Sequence, residues 1–165
     1  MKTHFALMAE YNAWANARVY SQAKELPDEQ YLRNVGVFFG SLHGTLNHLL
    51  VADRIWMRRF TGIGEHPSRL DATLFDELTL LDSARKEEDQ RIRRYIDSLS
   101  DEDIRKPFNY TTTKGMPQCF PLGELLAHFF NHQTHHRGQA HCILTLLGTA
   151  EPQPLDLLAL LRAKA

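Results

Sequence analysis

Cysteine is scarce in this chain, with two residues, Cys119 and Cys142, among 165. Two thiols so far apart make neither a disulfide framework nor a CxxC redox pair. Free thiols in a cytoplasmic protein are therefore the default expectation. Long apolar runs are missing as well. No stretch approaches the roughly 20 apolar residues of a membrane span, and Met1-Lys-Thr-His-Phe-Ala has no apolar signal core. Charge of either sign is hardly in excess, at a formal net −1, so no basic field recruits nucleic acid or an anionic membrane. The small clusters Arg58-Arg59 and Arg91, Arg93, Arg94 read as solvated helix faces, the second offset by Glu87, Glu88 and Asp89. There is no HExxH, which excludes the metalloprotease arrangement with a glutamate base, and no internal repeat or low-complexity linker.

The composition that remains, 43% hydrophobic and 24% charged, is ordinary for a globular protein. Residues 1–165 are long enough for one domain burying about two-thirds of its unfolded surface. Periodicity predicts four long helices. The first, about Phe5 to Leu26, carries Phe5, Met8, Asn12, Ala15, Val19 and Leu26 on one stripe and stops at Pro27-Asp28. The second, about Phe38 to Phe60, is apolar around much of its circumference, as a buried helix would be. The third, about Leu74 to Leu99, is heavily charged, and the fourth spans about Leu122 to Leu147 and stops at Gly148. Between the last two, the β-branched and aromatic residues of Phe108 to Phe120 around Lys114-Gly115 predict a short hairpin. A further short helix starts near Leu155. The expected architecture is all-α, an antiparallel four-helix bundle with a hairpin before its last long helix; such bundles build metal and ligand sites from inward side chains of facing helices.

On the fourth helix, the segment His128-Phe-Phe-Asn-His132-Gln-Thr-His135-His136-Arg-Gly-Gln139 holds four of the nine histidines. Residues four apart share a helix face, with Cβ atoms roughly 5–6 Å apart. His132 and His136 therefore aim two imidazoles at one point. At about 100° per residue, the pair falls at the centre of the stripe formed by Leu125, Phe129, Ile143 and Leu146, where unpaired imidazoles would be costly. His128 lies two turns, roughly 12 Å, from His136, so the spacing admits either His128 with His132 or His132 with His136. His135 sits at the margin of the face. On the second helix, His48 is flanked by Ser41, Gly44, Thr45, Val51, Ala52 and Ile55, mostly small residues that would leave a hollow beside the ring. His43 points almost the opposite way. Three inward histidines on two helices are the pattern of a metal site more than of a satisfied core.

These residues resemble a known family. Tyr11-Asn-Ala-Trp14-Ala-Asn16 is similar to the YNxWAN opening of the DinB/YfiT-like superfamily, and Asn47-His48-Leu-Leu-Val-Ala-Asp-Arg-Ile-Trp56 to its HLLxxDxxW segment. Asn131-His132-Gln-Thr-His135-His136-Arg-Gly-Gln139 closely resembles its NHxTHHRGQ signature, and Pro154-Leu-Asp156 its terminal segment. The resemblance implies a four-helix bundle, often a homodimer, in which His48, His132 and His136 hold a divalent metal, with His135 in a supporting role.

Three neutral imidazoles leave such an ion its full charge and an open position. Zinc or nickel suits them best, while iron, manganese and copper also fit. The implied chemistry is metal-dependent. Relatives include transferases that activate a low-molecular-weight thiol such as bacillithiol or mycothiol, and others are known only as damage-inducible proteins or presumed hydrolases. Gln139 faces the same interior and is expected near metal-bound water or a small-molecule substrate. Asn12 and Asn16 either reach the pocket or serve as core polar groups, Tyr11 and Trp14 pack, and Arg137 on the flank is expected to pair with Asp53. No carboxylate is placed as a general base, and neither cysteine fits the ligand pattern. The competing expectation is a non-catalytic, metal-stabilised stress-response or interaction module.

Overall fold

The computed structural model describes residues 1–164. The chain is mostly helical with one small hairpin: α1 (Lys2–Ala23), α2 (Asp28–Leu32), α3 (Leu42–Thr61), α4 (Leu78–Ser98), α5 (Asp101–Arg105), β1 (Pro107–Thr111), β2 (Pro117–Pro121), α6 (Leu122–Leu146) and α7 (Leu157–Lys164). Four long helices and the hairpin stand where the sequence pattern puts them. The strands pair antiparallel from Pro107 opposite Pro121 to Thr111 opposite Pro117, and Gly115 takes the left-handed φ of 78° that the turn requires. The short helices α2 and α5 escape periodicity because five residues hold barely one turn; α5 is instead fixed by a capping box between Ser100 and Asp103.

The first long helix runs three residues earlier than expected at both ends, and two further boundaries differ more, each for a local reason. The second long helix begins at Leu42 rather than Phe38, because Ser41 caps it by accepting from the Gly44 amide at 3.1 Å. Residues 36–40 form a tight turn, closed by Val35 N–H to Gly40 C=O and Gly40 N–H to Val37 C=O. The third begins at Leu78 rather than Leu74. Here Asn47 intercepts the chain: its Oδ1 accepts from the amides of Leu74 and Phe75, and its Nδ2 donates to Phe75 C=O. A side chain that supplies a backbone's hydrogen bonds removes the need for a helix there.

Two large apolar clusters fill most of the core, and a small third one gathers Tyr11, Ala15 and Leu160. One large cluster gathers Val19, Tyr20, Leu42, Leu46, Leu49, Leu50, Leu81, Ala84, Ile143 and Leu144. The other gathers Phe5, Trp56, Met57, Phe60, Ile92, Ile96, Leu125, Leu126, Phe129 and Phe130. On every long helix the residues between the two sets are polar and buried: Asn12 and Asn16 on α1, Asp53 on α3, Arg85 and Asp89 on α4, Gln133 and Arg137 on α6. They bond to one another across the core. Arg85 pairs with Asp53 at 2.6 Å and Asp89 at 3.0 Å. Asn12 and Asn16 donate to Asp89 at 3.1 and 3.0 Å and accept from Arg137. Gln133 donates to Asp53.

The same clusters fix helix direction. The start of α1 and of α6 shares one cluster with the ends of α3 and α4. So α1 is antiparallel to α4, and α3 to α6, whereas α3 and α4 run parallel, and so do α1 and α6, which departs from the all-antiparallel arrangement expected. Parallel neighbours need a crossover. Residues 62–77 provide it, leaving α3 at Gly62, whose φ of 74° ends the helix, and returning along α3 as far as Asn47.

The Arg137–Asp53 pair expected from the sequence does not form. Asp53 bonds Arg85 and Gln133, while Arg137 is fully buried against Asn12, Asn16 and Gln133 rather than on a flank. Burial pushes Asp53 up to about 7 against the lowering effect of Arg85. Asp53→Leu would leave Arg85 short of a partner in the core, and chemical denaturation should show a loss of roughly 3–5 kcal/mol, as for other broken buried pairs. A loss under about 1 kcal/mol, typical of an exposed pair, would show that the layer does not hold the helices together.

Candidate metal centre

His48, on the first half of α3, and His132 and His136, one turn apart on α6, converge. One ring nitrogen from each lies within 4.8 Å of the others. His48 Nε2 lies 3.3 Å from His136 Nε2. Ring centroids stand 4.4 Å apart for His132 with His136 and 5.3 Å for His48 with His132.

The remaining ring nitrogens fix the tautomers. His48 Nδ1 lies 2.7 Å from the Leu70 carbonyl, which can only accept, so Nδ1 carries the proton. His136 Nδ1 donates to Gln139 Oε1 at 2.7 Å, while Gln139 Nε2 donates to His135 Nε2 at 3.3 Å. Both Nε2 atoms are then unprotonated, and two lone pairs face each other. That contact is repulsive unless a Lewis acid lies between them. A separation near 3.3 Å is what two nitrogens about 2.0–2.1 Å from one ion make at a tetrahedral angle. Outer partners that lock ligand tautomers in this way are the usual support of histidine metal sites. The donor set fits a divalent metal.

Burial and neighbouring rings disfavour protonation throughout. His132 is pushed down to about 3, chiefly by burial and further by His136 and His48. His48 and His136 are lowered by burial too, against the raising effects of the Leu70 carbonyl and Gln139 respectively. Imidazoles held neutral are competent ligands without losing a proton first.

A cavity of about 530 Å³ opens on this cluster, lined by the three histidines, His135, Gln139, Phe38, Phe39, Leu70 and Asp71. Its walls come from two loops. Phe39, in the turn before α3, stacks on His48 with centroids 3.9 Å apart and planes 17° apart. That turn lies so close to α3 that a Cβ on Gly44 would sit 2.1 Å from the Phe39 carbonyl, so glycine is required there. Leu70 and Asp71 come from the crossover, and Asp71 is bound by Arg69 through two bonds of 2.9 and 2.7 Å.

The candidate residues thus divide. His48, His132, His136, His135 and Gln139 meet at one cavity. Asn12 and Asn16 do not reach it; they belong to the buried polar layer with Asp89 and Arg137. His128 is exposed and lies against Trp56 at 5.3 Å, outside the cluster. His43 bonds Tyr31 Oη at 3.0 Å, facing away as expected. Cys119 and Cys142 are free, exposed and absent from the lining. The hollow beside His48 exists, yet its apolar walls are Phe38, Phe39 and Leu70 rather than small residues of α3. Gly36 and Gly40, bracketing Phe38-Phe39, were the available signal for that turn.

The histidines also sit differently on α6 than the wheel implied. The buried face of α6 runs through Leu126, Phe130, Gln133, Arg137, Ala140 and Leu144, centred about 90° round the helix from His132. His132 and His136 lie at its edge, half-buried. The stripe of Leu125, Phe129, Ile143 and Leu146 misplaced the centre, because Leu146 is exposed while Leu126, Phe130, Ala140 and Leu144, further round the helix, are buried.

A largely helical chain with three convergent imidazoles at the mouth of a cavity carries a donor set compatible with a divalent metal. Comparison with known proteins makes this specific. The DinB family model matches residues 1–164. The chain is also similar to Protein DinB of Bacillus subtilis (strain 168), 32% identical over 145 residues, 86% of this chain and 84% of that protein. The chain belongs to the DinB family. Among the described residues, no helix is long and apolar enough to cross a membrane.

The depressed His132 makes a pH prediction. An unfolded chain protonates this ring near its ordinary 6.5, the folded metal-free protein not until about 3, so acidification through that interval favours unfolding. With chelator present, the stability of wild type relative to His132→Gln should fall as pH drops from 7.5 to 5. A difference that stays flat in urea melts across those pH values would contradict the burial described.

Proposed function

We propose that His48, His132 and His136 hold one divalent metal ion, zinc or nickel in the first place and iron, manganese or copper as alternatives. The four long helices are read as a four-helix bundle of the DinB type carrying this centre. The observation behind the reading is the pair of facing Nε2 lone pairs, each enforced by a hydrogen bond on the far side of its ring.

The activity we propose is metal-dependent, with a low-molecular-weight thiol as one substrate, as the family resemblance implies. When bound, the ion would supply the Lewis acidity that lowers the pKa of a thiol or water and polarises an electrophile. The chain's own residues account for the rest. Leu70 C=O and Gln139 orient the ligand rings, and Phe39 and Leu70 keep bulk water from one side of the site. Asp71 is the single carboxylate of the cavity lining. Its bonds to Arg69 hold it below the usual carboxylate range, which makes it a weak base and favours a thiol, needing little assistance near neutral pH, over general-base hydrolysis. Cys119 and Cys142 lie elsewhere, so the thiol is brought by the substrate. A homodimer in the cytoplasm, where free thiols stay reduced, completes the proposal. The alternative, a non-catalytic metal-stabilised module, calls for a closed four-ligand site; the cavity on the three imidazoles favours the enzyme.

Metal content by mass spectrometry tests the reading. Untagged wild type should carry close to one ion per chain. His48→Ala and His136→Ala should lose it, whereas His128→Ala should keep it. Folded wild type that takes up no ion after supplementation with zinc and nickel would end the metalloenzyme reading.

A further inference from the structure

The cavity walls say something about the second substrate, a deduction that rests on the metal reading above. The lining holds no lysine and no arginine. The Arg69 guanidinium, next to the lining residues Leu70 and Asp71 in the chain, is occupied by Asp71, and Asp71 itself places negative charge on the rim. A nucleotide or sugar phosphate would find no cation here besides a bound metal, so polyanionic substrates are disfavoured.

The apolar side is unusually developed. Phe38 is 88% exposed at the cavity mouth, Leu70 is 49% exposed opposite the turn, and Phe39 lies between Phe38 and the histidines. Phe38 and Phe39 meet edge-to-face with centroids 4.8 Å apart, and Phe39 continues onto His48 at 3.9 Å. A row of flat rings therefore leads from solvent to the ligand cluster. Neither ring is there as core: both stand outside the two apolar clusters. The turn that carries them is held rigidly, by its two backbone bonds and by the close approach over Gly44, so the rings are presented rather than left mobile. An exposed apolar patch on the rim of a polar site marks a place where apolar ligand surface is buried.

We propose that the electrophilic substrate is a small, uncharged or weakly charged molecule bearing an aromatic or comparably flat apolar group. That group lies along Phe38 and Phe39 towards Leu70 while the reacting atom sits at the three histidines. Phe38 is the specificity residue. Its exposure means that removing it leaves the core untouched, and it touches none of the proposed ligands, whereas Phe39 supports His48.

The test compares two probes that share one metal-binding head, benzohydroxamate and acetohydroxamate, titrated calorimetrically into zinc-loaded wild type and Phe38→Ala. Metal content is measured on the same samples. Burying the phenyl ring against two aromatic residues should favour benzohydroxamate by about tenfold in the wild type, and in Phe38→Ala the ratio should fall to within about threefold, with metal content unchanged. Comparing the ratio between wild type and variant cancels any intrinsic difference between the two hydroxamates. If neither probe binds because the protein holds no metal, the metal reading fails. If both bind a loaded site with the same ratio in wild type and variant, the metal reading stands and the aromatic-substrate inference is overturned. The inference also falls if Phe38→Ala turns a dimer into a monomer by sedimentation while leaving the ratio unchanged, since Phe38 would then serve contact with a second copy.

Discussion

A layer of buried charge holds the four long helices in register. Asp53, Arg85, Asp89 and Arg137, with Asn12, Asn16 and Gln133 between them, draw one or two members from each long helix. Apolar packing is tolerant of small rotations and slides, because one methyl group replaces another at little expense. A guanidinium between two carboxylates is not tolerant, since each lost bond leaves a group in a medium that cannot solvate it. The layer therefore sets the rotation of α3 and α6 about their axes. That rotation decides where His48, five residues before Asp53, and the histidines flanking Gln133 and Arg137 can point.

The rest of the site follows from topology. Because α3 and α4 are parallel, the chain must travel back along α3 before α4 can start. Asn47 catches the returning strand at Leu74 and Phe75, and His48, its neighbour, meets Leu70. One segment thus supplies the proton acceptor that fixes the His48 tautomer and also a wall of the cavity. The opposite wall comes from the turn before α3, brought close by Gly44. Neither wall belongs to a helix, in keeping with a scaffold that holds ligands rigidly and leaves selectivity to loops.

The sequence discloses the helices and the hairpin readily, since long apolar stripes and an aromatic, β-branched run around Lys114-Gly115 are strong local signals. The convergence of His48 with His132 and His136 was legible through family resemblance more than through spacing, which left His128 open. Three things were hidden. Phe39 was read as helix because an apolar run does not show where a cap interrupts it. Leu70 acts through its backbone carbonyl, which side-chain identity cannot reveal. Arg137 was placed on the flank and Gln133 given no role, because their burial depends on partners 80 or more positions away, Asp53 for Gln133 and Asn12 for Arg137.

The displaced histidines carry the functional point. Had His132 and His136 stood at the centre of the buried face, any ion they held would have been enclosed and its remaining positions filled by protein. Gln133 and Arg137 take that centre instead, and turn the two histidines to the edge, half-buried. There the rings are dry enough to stay neutral, as the depression of His132 shows, yet open to a cavity on one side. This placement meets both needs of the catalytic site proposed above: ligands kept unprotonated and a coordination position that a substrate can reach. The polar layer that orders the helices thereby also holds the site open, so a substitution at Asp53 or Arg137 that leaves the chain folded should shift His48, His132 and His136, and with them the affinity for the metal proposed to bind there, without touching any of them.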